Sequence, residues 1–131
     1  DGIEYGDVIE GVDFDYAAKL TALNVISLAG MASAPPFPAD VKISGAVKAS
    51  TTLQWSAPKG DAAKNLKGYK LYWRLTTDPQ WTYSRDVGLV SKYTLENIVI
   101  DNYFFGVASV SHDGYESPVV FPGVTGSFGG Y

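Results

Sequence analysis

Between Asp13 and about Met31 the apolar positions Tyr16, Leu20, Leu23, Ser27/Leu28 and Met31 recur at steps of three and four. That is the period of an amphipathic helix. Asp13 or Asp15 supplies the N-cap, and the acids before them suit the positive end of the helix dipole. A lone helix of this length is marginal in water, so its apolar face needs a partner, either the rest of the chain or a domain outside it. Ala34-Pro35-Pro36-Phe37-Pro38 then interrupts the pattern with three prolines in four positions. Proline fixes φ and removes the ladder donor, so this stretch predicts a semi-rigid spacer and a domain boundary.

Beyond the spacer the period changes to two, in short runs parted by turn residues. Strands are predicted at 40–44, 51–56, 68–75, 82–87, 92–98, 103–111 and 117–121. Seven such runs predict a mainly β, immunoglobulin-like sandwich of two antiparallel sheets preceded by one helix. Trp55, Tyr69, Trp73 and Tyr103 are its expected core anchors: alternation puts Tyr69, Leu71 and Trp73 on one side of their strand and Lys70, Tyr72 and Arg74 on the other. The expected organisation is 1–34 acidic segment and helix, 35–122 sandwich, and 123–131 a glycine-rich flexible tail.

With 131 residues, 46% of them hydrophobic, the chain has material for one cored domain. Cysteine is absent, which excludes disulfides, thiolate metal sites and a Cys nucleophile. The net charge of −4 is concentrated at the start. Asp1, Glu4, Asp7, Glu10, Asp13 and Asp15 face Lys19 alone there, whereas the remainder holds nine basic and eight acidic residues. No basic stripe exists to follow a phosphate backbone, so nucleic acid is not an expected partner. Leu20 to Ala34 is apolar, but a signal peptide wants positive charge before its core, and Lys19, Asn24 and Ser27 break any membrane span. The chain begins at Asp1 without an initiator Met, as expected of a fragment or a processed product.

Chemistry-bearing residues are sparse. The lone histidine, His112, falls in His112-Asp113-Gly114, where polar residues and glycine serve a tight turn, and one His without Cys makes no zinc site. The acidic series lacks the ligand order of an EF-hand and is read as a solvated helix entrance. No carboxylate pair identifies itself for glycoside hydrolysis, and no GxSxG elbow, HExxH helix or phosphate-cradling glycine loop occurs. Arg85-Asp86 lies in a predicted strand and is not an integrin-type loop motif, and the terminal glycines have no helix after them. Tyr72, with Trp81 or Tyr83 from the neighbouring strand, is left as a possible surface contact for a peptide or glycan, or for another domain. Exposure side by side favours ligand binding; burial against the helix at 13–31 favours structure.

Pro38, Trp55, Gly68-Tyr69, Tyr103 with Phe105, Val107 and Ser109, and Asp113-Gly114 before Ser117-Pro118 come in the order of a fibronectin type III domain, which residues 36–122 resemble. The Ile98–Tyr103 spacing is a residue shorter than usual. A wider resemblance runs through GVDFDY, LAGMASAPPFP, GYKLYWRLTTDPQWTYSRDVG and SHDGYESPVVFP. It is to the carboxyl-terminal part of certain bacterial family 28 metallopeptidases, the dizinc aminopeptidases. The resemblance implies that residues 1 to about 33 end a peptidase domain, that zinc sits in that upstream domain with no cofactor in this fragment, and that the protein is secreted or periplasmic. It implies a non-catalytic accessory module whose partner is its own peptidase domain. No zinc ligand carries over, because no position here matches a ligand motif. The alternative is an independent glycan- or peptide-binding adhesion module.

Overall fold

The computed structural model of the chain describes Gly2, Gly6, residues 8–45 and residues 48–123, apart from the Ala62 side chain. Asp1, Glu4, Asp7 and residues 124–131 of the expected tail lie outside the described residues. The chain divides into two compact units, Asp1–Ala32 and Ser33–Tyr131.

In the first unit a short 3₁₀ turn, Ile9–Gly11, precedes helix α1, Phe14–Ser33. Of the two candidate caps, Asp13 serves: its Oδ1 accepts the Tyr16 N–H at 2.9 Å. Asp15 falls in the first turn, where its charge meets the helix dipole. The expected one-sided stripe is only part of the helix surface, because Phe14 and Val25 lie opposite it and are as exposed as Leu23. Thr21 and Ser27 turn their hydroxyls onto the carbonyls of Ala17 and Leu23, at 2.8 and 2.9 Å. Those polar groups are therefore satisfied within the helix and need no water.

The second unit is a sandwich of strands β1 (Ala39–Ser44), β2 (Thr51–Ser56), β3 (Leu66–Leu75), β4 (Tyr83–Gly88), β5 (Lys92–Leu95) and β6 (Tyr103–Ser111). One antiparallel sheet has the order β1-β2-β5, the other β4-β3-β6. Short 3₁₀ turns at Asp61–Asn65 and Ile100–Asn102 lead into β3 and β6. Period-two alternation sends Leu53 and Trp55, Tyr69, Leu71 and Trp73, and Phe105 and Val107 into one shared core with Val41 and Leu95. Trp55 and Tyr69 meet edge to face, with centroids 5.2 Å apart. Tyr103 is half-buried at the margin of that core, its ring 6.2 Å from Phe105.

Two expected strands differ. The run at 92–98 ends as a strand at Leu95, because Asn97 turns the chain with φ 59. Ile98 is then held by its carbonyl, which accepts the Thr51 hydroxyl at 2.7 Å. The seventh run, 117–121, is not a continuous strand, and six strands form among the described residues. It lies beside β6 through isolated bridges Val110↔Glu116 and Val107↔Val120. Those pairings differ by one residue in register, a bulge that takes in Pro118, which has no ladder donor to give. Beside it the Ser117 hydroxyl accepts the Ser109 N–H at 2.9 Å, where a longer ladder would have placed a carbonyl.

Candidate functional site

Tyr72 and Gly106 lie across from each other on the outward side of the β4-β3-β6 sheet. Alternation along β3 leaves Lys70, Tyr72 and Arg74 half-buried there. Register places Tyr72 opposite Gly106 and Arg74 opposite Phe104 of β6. With no side chain at Gly106, the β3–β4 loop can fold its Trp81 onto the bare strand. Thr82 donates to the Asp78 carboxylate at 2.9 Å and Arg74 Nη1 to the Asp78 carbonyl, so the loop is pinned at both ends of its turn.

An aromatic surface results. The Trp81 ring lies 5.9 Å from Tyr72 and 5.2 Å from Phe121. Phe104 stands edge-on to Phe121 at 6.5 Å. The Arg74 guanidinium packs between Trp81 and Phe104, 5.6 and 4.8 Å from their centroids. Phe104 and Phe121 remain 43% and 40% exposed, so apolar area stays open to solvent.

At one margin Glu116 takes the Lys70 ammonium at 2.8 Å and the Tyr72 hydroxyl. The hydrogen bond to Glu116 holds the Lys70 pKa above its ordinary value. Burial, and then the same carboxylate, raises that of Tyr72. Glu116 is thus already occupied by a cation and a donor, which disqualifies it as a free general base. His112 is exposed in the turn after β6, where its backbone N–H donates to the Asn65 carbonyl at 3.1 Å. Gly114 completes that turn at φ 86. Among the described residues no three His, Cys, Asp or Glu side chains gather to hold a metal, and no helix is long and apolar enough to cross a membrane.

Of the three predicted surface residues, Tyr72 and Trp81 come together and Tyr83 does not join them. Register pairs Tyr83 with Trp73, and its ring stacks on that residue at 5.7 Å and 18°, close to Tyr103. It belongs to the opposite side of the strand pair, because residues paired across antiparallel strands point the same way. Sequence pattern put Arg74 on the side of Tyr72 but gave it no part in the surface, and it missed Phe104, Phe121 and Glu116. The Phe104-Phe105 doublet carried a signal for one of them, since two adjacent strand residues cannot both face the core.

No family model matches the chain. It is similar to a probable zinc metalloprotease of Pyrenophora tritici-repentis, 36% identical over 124 residues that cover 92% of this chain and 28% of the relative. A probable zinc metalloprotease of Leptosphaeria maculans is 38% identical, over 92% of this chain and 27% of the relative. That of Pyricularia oryzae is 36% identical, over 93% and 24%. These relatives are fungal, whereas the sequence resemblance pointed to bacterial enzymes. The chain spans about a quarter of the length of the curated relatives it matches. Each match is longer than the sandwich unit, so it runs through the proline spacer into the helix.

Among solved structures, the sandwich resembles a computationally redesigned β-sandwich protein with TM-score 0.52, 17% identity and coverage of 65% of this chain and 83% of that one. It also resembles the chicken CNTN1 FN1-FN3 domains, at TM-score 0.51, 18% identity and coverage of 66% and 31%. A third is the fn3 domain of the human collagen alpha-1(XX) chain, at TM-score 0.50, 18% identity and coverage of 68% and 82%. At such identities the likeness establishes the fold, which is fibronectin type III-like.

Proposed function

We propose that this chain is a non-catalytic accessory module of a zinc-dependent peptidase, with residues 1 to about 33 closing the catalytic domain and the sandwich packing beside it. The observation that carries this is the continuous match to probable zinc metalloproteases across helix, spacer and sandwich together. A sandwich alone is shared by many unrelated proteins, but the joined order of all three pieces is a feature of an architecture. The zinc then belongs to the remaining three quarters of the longer protein. Within this reading the parent is a secreted aminopeptidase of the family 28 type, and the module stabilises it or shapes access to its site.

The surface around Trp81 suits a structural contact better than a sugar platform. Trp81 is half-buried and tilted by 51° against Tyr72, whereas a pyranose ring asks for flat exposed faces. The test is a comparison of the 131-residue chain with the longer protein that contains it. After metal-free purification and zinc addition, the longer protein is expected to hold zinc stoichiometrically and to release amino-terminal residues from aminoacyl nitroanilides. The 131-residue chain is expected to do neither, and turnover by it overturns the proposal. Recovery of the longer protein from the cell interior alone would overturn secretion.

A further inference from the structure

We infer that the sandwich binds an internal water between its two sheets, held by the Trp55 indole N–H and the hydroxyls of Tyr69 and Ser109. This site belongs to the sandwich itself and does not depend on the accessory-module reading.

Three buried polar atoms point to it. Trp55 Nε1, Tyr69 Oη and Ser109 Oγ lie inside the core without a hydrogen-bond partner among the described residues, and their residues are 3%, 3% and 0% exposed. The other buried hydroxyls are accounted for. Thr51 donates to the Ile98 carbonyl, Ser111 accepts the Tyr115 N–H, and Ser117 accepts the Ser109 N–H while donating to the Pro118 carbonyl. Ser109 is the exception. Its main-chain N–H and carbonyl are both taken by Ser117, and its hydroxyl stands in the inward row of Phe105 and Val107, where alternation calls for an apolar residue. A buried hydroxyl in that position costs stability unless it has a polar partner of its own.

The three residues share one region of the core. Register sets Ser109 of β6 directly across from Tyr69 of β3, and residues so paired point the same way. From the opposite sheet Trp55 of β2 brings its ring edge to face with Tyr69, at 5.2 Å and 64°. An indole N–H can only donate and so repels a cation, and no carboxylate stands in the set, so the ligand is neutral. A buried water takes about two to four polar partners. Accepting from Trp55 and exchanging bonds with two hydroxyls, one water satisfies all three atoms. Tyr69 also lines a hollow with Lys67, Gly68, Asp86, Gly88 and Val110, which gives water a way in. The bonds of that water run from β2 of one sheet to β3 and β6 of the other, a polar tie within an apolar core.

The experiment uses the full chain and the variants Tyr69→Phe, Ser109→Ala and their combination, with Ser84→Ala on the exposed part of β4 as the baseline for serine replaced in a strand. Urea unfolding gives the folding equilibrium constant of each, and magnetic relaxation dispersion of the water oxygen reports long-lived internal water. Relative to that baseline, each single variant is expected to lower the equilibrium constant about two- to tenfold, as loss of a satisfied hydrogen bond does. The double variant is expected to lose less than the product of the two, because both hydroxyls serve one water. Its relaxation dispersion is expected to fall below that of the parent. In a dry core each substitution instead removes an orphaned hydroxyl and leaves the protein as stable as the parent or more so. That result in either single variant overturns the inference, as does a dispersion unchanged between parent and double variant. Should Ser109→Ala fail to fold by circular dichroism, Tyr69→Phe, which keeps the ring, carries both measurements.

Discussion

The Cη2 atom of Trp81 stands 3.3 Å from where a side-chain carbon would begin at Gly106, so the indole rests on the bare backbone of β6. The same added carbon would collide with Val119 Cγ1 and approach the Val120 carbonyl oxygen to 3.2 Å. Gly106→Ala is therefore expected to cost about 1–3 kcal/mol, as overpacking does, because one of the contacts is to backbone. Urea unfolding measures the loss, and a shift in tryptophan emission reports the displaced indole.

Trp81 and Tyr83 are two residues apart in sequence but serve different sides of the strand pair. Trp81→Ala and Tyr83→Ala are expected to be additive to within roughly 0.5 kcal/mol. Trp81→Ala and Tyr72→Ala, whose rings lie 5.9 Å apart, should instead couple by about 0.5–1.5 kcal/mol. Double-mutant cycles distinguish these. A large Trp81–Tyr83 coupling would contradict the pairing of Tyr83 with Trp73.

Leu53 is completely buried between the sheets, among Trp55, Leu71 and Val107 in the shared core. Leu53→Ala is expected to destabilise by about 2–5 kcal/mol, the range for a buried leucine replaced by alanine. Leu89→Ala, at an exposed position, should stay within about 0.5 kcal/mol of the parent. Chemical denaturation of both variants decides it, and equal losses would place the core wrongly.

Three neighbouring groups on β3 have pKa values held above the ordinary ones. Tyr69 is raised by burial, Lys70 by the hydrogen bond to Glu116, and Tyr72 by burial followed by Glu116. A group whose folded pKa is raised contributes stability below its unfolded value and loses it as pH climbs through the folded value. Stability from these three is thus present through neutral pH and falls above about pH 10, where tyrosine and lysine ordinarily titrate. Glu116→Gln removes the carboxylate and should flatten the Lys70 share of that fall. At neutral pH it is expected to cost less than about 1 kcal/mol, since the pair is partly exposed and solvent-screened. Melting curves at a series of alkaline pH values provide the check.

The limits of β2 and β6 were legible because alternation at Thr51–Ser56 and Tyr103–Ser111 is bounded by clear turn residues. The helix cap was legible for the same local reason. What the sequence left open depends on partners far along the chain. Period two gives the side of Tyr83 only relative to its own strand, and the Trp73↔Tyr83 register is needed to say which sheet face that is. Phe121 could be read as the end of a strand, but the bulge about Pro118 decides where its ring falls. The aromatic surface is assembled from β3, the β3–β4 loop, β6 and the last segment, so no single stretch of sequence displays it.

The interrupted pairing at Pro118 also governs how this sandwich can meet anything else. A strand seeking to extend the sheet on that side would find a proline and a shifted register where it needs a regular row of donors and acceptors. On the far side β4 presents Ser84, Arg85 and Asp86, short and charged, which is the other means by which natural sheets discourage an added strand. Among the described residues, then, both borders of the β4-β3-β6 sheet carry devices that discourage growth by strand addition. The broad outer side of the sheet, where Phe104 and Phe121 stay exposed beside Trp81, carries no such guard.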